Sequence, residues 1–177
     1  MSKIRSYRDT VYDSETGVPV VFTKEEYATR QGHFYHAHID TGALGDGDSA
    51  ELYFKSPASS VTCYMICGGN LELSGEIYMF RSSTVSLSGS VVTVFNDDHR
   101  SANSSTIAVR SSPTLTDSGT EFDHILIGGG KRGNTGGDAK GAFVPKADTI
   151  YTVRITSLAG SNSGDIRIEW GENPNVG

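Results

Sequence analysis

Strict alternation of apolar and polar residues near the C-terminus constrains the fold of this chain most strongly. In segments 151–156 and 165–170 every second residue is apolar, and the apolar positions are Tyr151, Val153, Ile155, Ile166, Ile168 and Trp170. A period of two places these side chains on one face of a strand. The stretch 159–164, Ala-Gly-Ser-Asn-Ser-Gly, predicts a turn between the two segments. We therefore predict two antiparallel strands, each with one buried face and one solvent face.

Similar segments recur upstream, with almost nothing helical between them. The predicted strands are His33–Asp40, Ala50–Lys55, Val61–Cys67, Leu71–Phe80 with an interruption at Gly75, Val91–Phe95, Thr106–Ser111 and Phe122–Ile127. Together with the C-terminal pair they make about eight or nine short strands, which is typical of a sandwich or barrel. The loops are too long and uneven for an up-and-down barrel, and no repeat of fixed period indicates a propeller or solenoid. We predict an all-β, antiparallel two-sheet β-sandwich that is jelly-roll-like.

The segment Val61–Cys67 is apolar at nearly every position. We therefore expect a central strand covered on both faces. Cys63 and Cys67 lie four residues apart, which in a strand is about 13 Å and too far for a disulfide. No second Cys or His pair has the spacing of a zinc site. We predict that both thiols lie in the core.

One short N-terminal helix is predicted before the first strand. Thr23-Lys24-Glu25-Glu26 matches a capping box, and the helix would run to about Arg30 before Gly32 ends it. Residues 1–22 are mixed and charged, and we interpret them as an extended N-terminal arm preceding a sandwich domain of residues 23–177. Such an arm either orders against its own domain or reaches a neighbour, and the sequence leaves both open.

The charge and hydropathy of the chain disfavour several classes of partner. The formal net charge is −6, whereas non-specific nucleic-acid binding needs a basic surface. No apolar run approaches the roughly 20 residues of a membrane span. The first eight residues are polar and lack the apolar stretch of a secretory signal. We therefore expect a protein that folds in the cytosol and binds neither nucleic acid nor membrane.

Two closely spaced histidines are the only candidate for a metal site. In a strand His36 and His38 point to the same side, together with Phe34 and Asp40. A cupin-type jelly roll uses such a histidine pair, with a Glu soon after and another His much later. This chain lacks the Glu, and His124 alone could supply a third ligand. A cupin-like metalloprotein is thus an alternative to a polar surface beside Phe34, and no metal, cofactor or catalytic residue is assigned.

The cluster Asn96-Asp97-Asp98-His99-Arg100-Ser101 follows a predicted strand. It lacks the regular carboxylate spacing of a calcium loop. The neighbouring side chains of Asp97 and Asp98 should diverge, which disfavours an acid–base pair. We predict an Asx-type turn with local salt links.

A glycine-rich segment runs from Gly128 to Gly141 and includes Gly130-Lys131. A phosphate-binding loop would need Ser or Thr after the lysine and a helix beyond it. Arg132 follows instead, and no helix is predicted. We expect an exposed loop between two strands.

Aromatic residues on predicted strands offer a further possibility, namely Tyr53, Tyr64, Tyr78, Phe80 and Trp170. Aromatic rings on strands stack on sugars in some proteins, but more often they belong to a core or an interface. No companion cluster of polar residues is evident in the sequence. No Ser stands in a Gly-x-Ser-x-Gly elbow, so a hydrolase triad has no support in the sequence.

Several blocks of the chain resemble a family of small structural proteins of tailed bacteriophages, encoded near the major capsid protein. The blocks are Val20–Tyr27 with Gly32–His36, Asn96–Ser104, Pro113–Thr120, and Phe143–Tyr151 with Gly164–Trp170. They cover residues 20–171, and none of them is a catalytic motif. The longer stretch of residues 1–19 departs from the family pattern.

The resemblance implies a virion component: a head decoration, or cement, protein built as a jelly roll. It implies binding to the major capsid protein, assembly as a homotrimer, and a position on the capsid exterior after assembly in the host cytoplasm. A neighbouring role is also open, such as a tail or head-fibre component that binds carbohydrate. The expected contact surfaces are the N-terminal arm and the loops around 41–48 and 128–141.

Overall fold

A computed structural model describes residues 11–12, 19–20, 28–29, 31–58, 61–128 and 139–174. Within these ranges the chain is all-β, as predicted, and its paired strands are antiparallel. The strands are β1 (Val11–Tyr12), β2 (Pro19–Val20), β3 (Phe34–Asp40), β4 (Ser49–Lys55), β5 (Val61–Leu71), β6 (Gly75–Arg81), β7 (Thr84–Leu87), β8 (Ser90–Val92), β9 (Phe95–Asn96), β10 (Val109–Ser111), β11 (Thr114–Asp117), β12 (Thr120–Ile127), β13 (Ala139–Phe143), β14 (Ile150–Ser157) and β15 (Gly164–Pro174).

Two sheets build the body of the molecule. The six-stranded sheet has the order β12-β6-β14-β4-β10-β8, and the five-stranded sheet has the order β13-β5-β15-β3-β9. Inward side chains from both sheets form one apolar core. The C-terminal alternation predicted these positions correctly, since Ile155, Ile166, Ile168 and Trp170 are fully buried. The result is a β-sandwich-like arrangement of two antiparallel sheets.

The strands pair in a nested order. β3 pairs with β15, β4 with β14, β5 with β13, β6 with β12, β7 with β11 and β8 with β10. The chain is therefore a long antiparallel ribbon, and residues 93–108 form its tip. Within this tip, β9 pairs with β3. The tip of the ribbon thus folds back against β3, which belongs to the opposite end of the ribbon.

The arm predicted for residues 1–22 is described only at β1 and β2. These strands pair Val11 with Val20 and Tyr12 with Pro19. The two short strands are antiparallel to each other.

The predicted helix, Thr23 to Arg30, lies outside the described residues except for Ala28 and Thr29. Just beyond it, the Gly32 N–H donates to the Thr29 carbonyl at 2.8 Å, and the His33 N–H donates to the Ala28 carbonyl at 2.9 Å. Gly32 has a φ of 66°. This is the Schellman pattern that commonly closes a helix, and it places a chain reversal at the glycine predicted to end one.

Strands β7 and β11 form a separate two-stranded sheet, called the strap below. β6 and β10 flank the central pair β14–β4, so the chain must cross this pair to pass from β6 to β8. It crosses on the outer side because the inner side is filled by the core. At the crossing the Thr152 hydroxyl donates to Ser83 Oγ at 2.9 Å. The outward-facing side chains of Thr152, Tyr53 and Phe80 are consequently buried.

The strap is built from two similar segments, 82–90 and 112–120, which align without a gap. Ser82 and Ser112 open the two copies with positive φ values of 61° and 52°. The Ser86 hydroxyl donates to the Thr114 carbonyl, and its counterpart Thr116 donates to the Thr84 carbonyl. The contacts repeat with the two copies exchanged, so the strap has pseudo-twofold symmetry. This duplication was not predicted.

A glycine ends each copy at a close approach of the two strands. Gly89 and Gly119 have φ values of 64° and 84°. A Cβ on Gly89 would lie 2.0 Å from the Ser111 carbonyl oxygen, and one on Gly119 would lie 2.3 Å from the Arg81 carbonyl oxygen. Only a residue without a side chain fits these positions.

Some predicted strands differ from the observed ones. The strand at Val61–Cys67 continues to Leu71, and the expectation that both its faces are covered is wrong. Cys63, Met65 and Cys67 point into the core, whereas Tyr64 and Ile66 on the other face are half-buried. Gly75 begins β6 rather than interrupting a strand.

The glycine-rich loop predicted at Gly128–Gly141 is shorter than expected. β13 begins at Ala139 and pairs through Phe143 with β5. Residues 129–138 lie outside the described ranges.

Cys63 and Cys67 are free and buried, as predicted. Burial, followed by the nearby Glu172 carboxylate, raises the pKa of the Cys63 thiol to about 12. Burial also raises the pKa of Cys67. These thiols are core residues with little thiolate character.

Candidate functional site

The outward side of the five-stranded sheet is called the open face, because within the described ranges no strand crosses it. The strap crosses the outer side of the other sheet. Three rows of residues run across the open face. The first row is Phe95, His36, Glu169, Ile66 and Ala142, the second is His38, Arg167, Gly68 and Lys140, and the third is Asp40, Asp165 and Asn70.

The predicted common orientation of His36 and His38 is confirmed. Their ring centroids lie 6.1 Å apart, and the Phe95 ring lies 5.2 Å from His36 and 6.1 Å from His38. These three residues are called the ring cluster. His36 Nδ1 lies 2.5 Å from Asp97 Oδ1, so one imidazole nitrogen of the predicted ligand pair is already engaged by a carboxylate.

His124 lies far from these histidines and does not supply the third ligand that was considered for the pair. It lies on the outer side of the six-stranded sheet, where its ring stacks on Tyr78 at 4.3 Å. The core separates it from His36 and His38. In the part of the chain that the structure describes, no group of three His, Cys, Asp or Glu residues is placed to hold a metal. The geometry therefore does not favour a cupin-like site.

A groove of about 240 Å³ lies on the open face beside Gly68. Its remaining lining residues are Ile66, Gly69, Asn70, Asp165, Arg167 and Glu169. Gly68 contributes no side chain, which leaves the depression between its neighbours. The groove is lined by an amide, two carboxylates and a guanidinium, so it offers both hydrogen-bond donors and acceptors.

The groove side chains interact with one another. Arg167 Nε lies 2.6 Å from Glu169 Oε1, and the Asn70 amide donates to Asp165 Oδ1. Burial, and then the Asp40 carboxylate opposite, raises the pKa of the Asp165 carboxyl above its ordinary value. The Asp40–Asp165 pair is a point of charge repulsion that a hydrogen-bond donor would relieve.

The cluster at Asn96–Ser101 forms the predicted Asx-type turn. The Asp98 N–H donates to Asn96 Oδ1 at 2.9 Å, and the Arg100 Nε donates to Asp98 Oδ1 at 3.0 Å. The hydrogen bond from Arg100 lowers the pKa of Asp98. Asp97 has a different partner, His36, so the two carboxylates are not an acid–base pair.

The aromatic residues considered for sugar stacking are mostly inaccessible. Trp170, Tyr53 and Phe80 are buried, and Tyr78 lies under His124 on the outer side of the six-stranded sheet. Tyr64 lies half-buried on the open face. Phe95, which the sequence indicated only as the end of a strand, is 41% exposed beside the histidines.

Glu172 is a buried carboxylate that the sequence interpretation missed. It is 5% exposed and accepts hydrogen bonds from Ser105 Oγ at 2.5 Å, Thr106 Oγ1 at 2.7 Å and Trp170 Nε1 at 2.9 Å. The Thr106 N–H donates to both carboxylate oxygens. This group, called the Glu172 clasp, fastens the ribbon tip to β15. The signal was present, because position 172 continues the inward series that ends at Trp170.

The predicted contact loop 41–48 is anchored at several points, since the Thr41 N–H donates to the Gly164 carbonyl and the Gly47 N–H donates to the Ser157 carbonyl, both at 2.9 Å. Leu44 and Asn162 exchange backbone hydrogen bonds of 2.7 and 2.9 Å, and both residues are buried. The glycine-rich loop and most of the arm lie outside the described residues. Their role in contacts stays a prediction.

Comparisons with known proteins add no relative. No protein-family model matches the chain, and no curated protein matches it. In the described ranges there is also no helix long and apolar enough to cross a membrane.

Proposed function

We propose that this chain is a structural virion protein of a tailed bacteriophage, which binds the shell of major capsid protein and stabilises it as a decoration, or cement, protein. It acts as a brace and not as an enzyme. It forms homotrimers on the capsid exterior, after assembly in the host cytoplasm, and contacts neither nucleic acid nor membrane. The resemblance of its sequence blocks to this family supports the proposal.

The observation that carries the proposal furthest is the nested strand order. The two sheets contain the series β3-β15-β5-β13 and β4-β14-β6-β12. We interpret this as the order of a jelly roll, in which a folded ribbon is wound so that consecutive strands alternate between two sheets. We interpret β7 to β11 as an insertion at the far end of that ribbon. Jelly rolls are common in viral capsids, so the topology and the resemblance point the same way.

Avidity would supply the stabilisation. Many modest contacts, repeated over a lattice, sum to a strong brace even when each one is weak. The loop 41–48 is suited to such a contact because the Leu44–Asn162 bonds hold it in one shape, and a preorganised loop loses little entropy on binding. The N-terminal arm and the loop 128–141 are the other proposed contacts.

Co-sedimentation with expanded empty capsids tests the function. The full chain is expected to pellet with capsids at a saturating ratio, whereas failure to pellet would reject the decoration role. Deletion of residues 1–19 is expected to weaken binding while the thermal unfolding midpoint stays unchanged. The matched control carries a scrambled sequence at 1–19. Unchanged binding by the truncated chain would reject the role of the arm alone.

A further inference from the structure

The two outer surfaces of the sandwich differ in accessibility. The strap buries Thr152, Tyr53 and Phe80 on the six-stranded sheet. On the open face Phe95 stays 41% exposed, although it lies directly beside paired strands. An exposed aromatic ring among polar side chains is a common feature of ligand sites. The open face is therefore the more accessible of the two outer surfaces for a ligand.

The groove on the open face suits a small polyhydroxylated ring. Its volume of about 240 Å³ is below the roughly 300 Å³ at which pockets for drug-sized ligands begin. Asn70, Asp165, Arg167 and Glu169 present amide, carboxylate and guanidinium groups side by side. A sugar hydroxyl both donates and accepts hydrogen bonds, so adjacent hydroxyls could engage these groups in pairs.

The ring cluster lies next to the groove. His38 stands opposite Arg167, and His36 stands opposite Glu169. Neighbouring strands are about 4.8 Å apart, so Phe95 on β9 lies two strands, or about 10 Å, from β15. The carbon-bound hydrogens of a sugar ring pack against aromatic faces. A chain of two or three sugar units would reach from the groove to Phe95.

The charge of the open face restricts the kind of sugar. Its charged residues include Asp40, Asp165, Glu169 and the adjoining Asp97, against Arg167 and Lys140, which strand pairing places on either side of Gly68. Uronic, sialylated or phosphorylated sugars would be repelled by this excess of carboxylates. The Asp40–Asp165 pair in turn favours a ligand that brings hydrogen-bond donors.

We propose that the open face binds an oligosaccharide without acidic groups, with one sugar ring in the groove beside Gly68 and a neighbouring ring on Phe95. The site does not depend on capsid binding, since all its residues belong to one copy of the chain. On a decorated particle it would give many weak glycan contacts, which add by avidity.

The test measures binding of the purified full chain, without capsids, to a glycan array and then to the best oligosaccharide by calorimetry. We expect neutral or amino sugars to bind and acidic sugars not to bind. Phe95→Ala and Asn70→Ala should each weaken the affinity about tenfold, because tenfold corresponds to the loss of one good stacking or hydrogen-bonding contact.

The matched control for Phe95→Ala is Phe122→Ala, at a ring that is 36% exposed away from the open face. It should leave the affinity within twofold. Leu126→Ala, on the same strand as Phe122, provides a second control if the first one destabilises the fold. Silence on the array, a preference for acidic glycans, or equal affinity of Phe95→Ala and the wild type would each overturn the site. None of these results would affect capsid co-sedimentation.

Discussion

Replacement of Glu172 by alanine should be among the most destabilising single changes in this chain. The carboxylate is buried and receives every hydrogen bond of the clasp. In Glu172→Ala the Thr106 N–H and hydroxyl lose their acceptor. Trp170 Nε1 keeps only its longer bond to Ser105 Oγ, at 3.2 Å. The donors remain in place while the acceptor disappears, which is the costly way to break a polar contact.

The magnitude follows from the number of bonds that find no substitute. A hydrogen bond to a charged group contributes about 1.5–3 kcal/mol. If the hydroxyls and Trp170 find partial replacements, about two such bonds are lost, so the free energy of unfolding should fall by about 3–5 kcal/mol. Glu172→Gln keeps the shape and one acceptor oxygen and should cost about 1–2 kcal/mol. Domains of this size are stable by only about 5–15 kcal/mol, so the alanine change is a large fraction of the total.

Urea unfolding followed by tryptophan fluorescence measures this effect directly, because Trp170 is the only tryptophan and donates to the mutated group. Glu169→Ala is the matched control, since it removes an outward carboxylate from the same strand. Its ion pair with Arg167 is partly exposed, and such pairs contribute roughly 0–1 kcal/mol. If Glu172→Ala unfolds within 1 kcal/mol of the control, the clasp does not hold the tip and the reasoning fails.

Three further predictions concern a glycine, a carboxyl and the thiols. Gly89→Ala should lower the unfolding midpoint well below that of Gly42→Ala. Both glycines have a positive φ, but only a Cβ on Gly89 would meet backbone atoms. Equal midpoints for the two variants would refute the steric argument. A raised pKa means that protonated Asp165 stabilises the fold at low pH and that this contribution is lost as pH rises from the ordinary value of 3.8. Asp165→Asn should therefore raise the thermal unfolding midpoint at pH 7 but not below pH 3.8. A gain in the midpoint that is independent of pH would contradict this reasoning. Cys63 and Cys67 should be unreactive toward a disulfide reagent at pH 8 until urea unfolds the chain, and rapid labelling of the native protein would show that the thiols are not buried.

The alternation in the sequence predicted the central strands because burial on one face leaves a local signal. Strands β3, β4, β12, β14 and β15 were all found in this way, and the inward positions of β14 and β15 were correct. β13 was missed because Gly141 and its glycine-rich surroundings hide the pattern. The strap was missed because its alternating residues are short and polar, and its burial comes from crossing another sheet.

The pairing of strands in the two main sheets could not be predicted, because most of these pairs join segments far apart in the chain. The nested order depends on which edges meet after the ribbon winds, and no local pattern records that. The same limit applied to the histidines. The period of two correctly placed His36 and His38 on one side of a strand, but no local pattern could show that His124 lies on the other side of the core. Phe95 reached the open face only through pairing of the tip with β3.

Stability and ligand binding meet in the tip of the ribbon. The Glu172 clasp fastens residues 105 and 106 to β15, while Phe95 and Asp97, earlier in the same tip, hold their positions against His36. A loosened clasp should therefore displace the exposed ring, and Glu172→Ala should weaken sugar binding as well as the fold. Phe95→Ala, by contrast, removes an exposed ring and should weaken binding with little change in unfolding. If both variants lose affinity and only Glu172→Ala loses stability, the tip couples sugar binding to folding stability. If Glu172→Ala binds sugar like the wild type, the ring cluster keeps its position without the clasp, and this coupling is refuted.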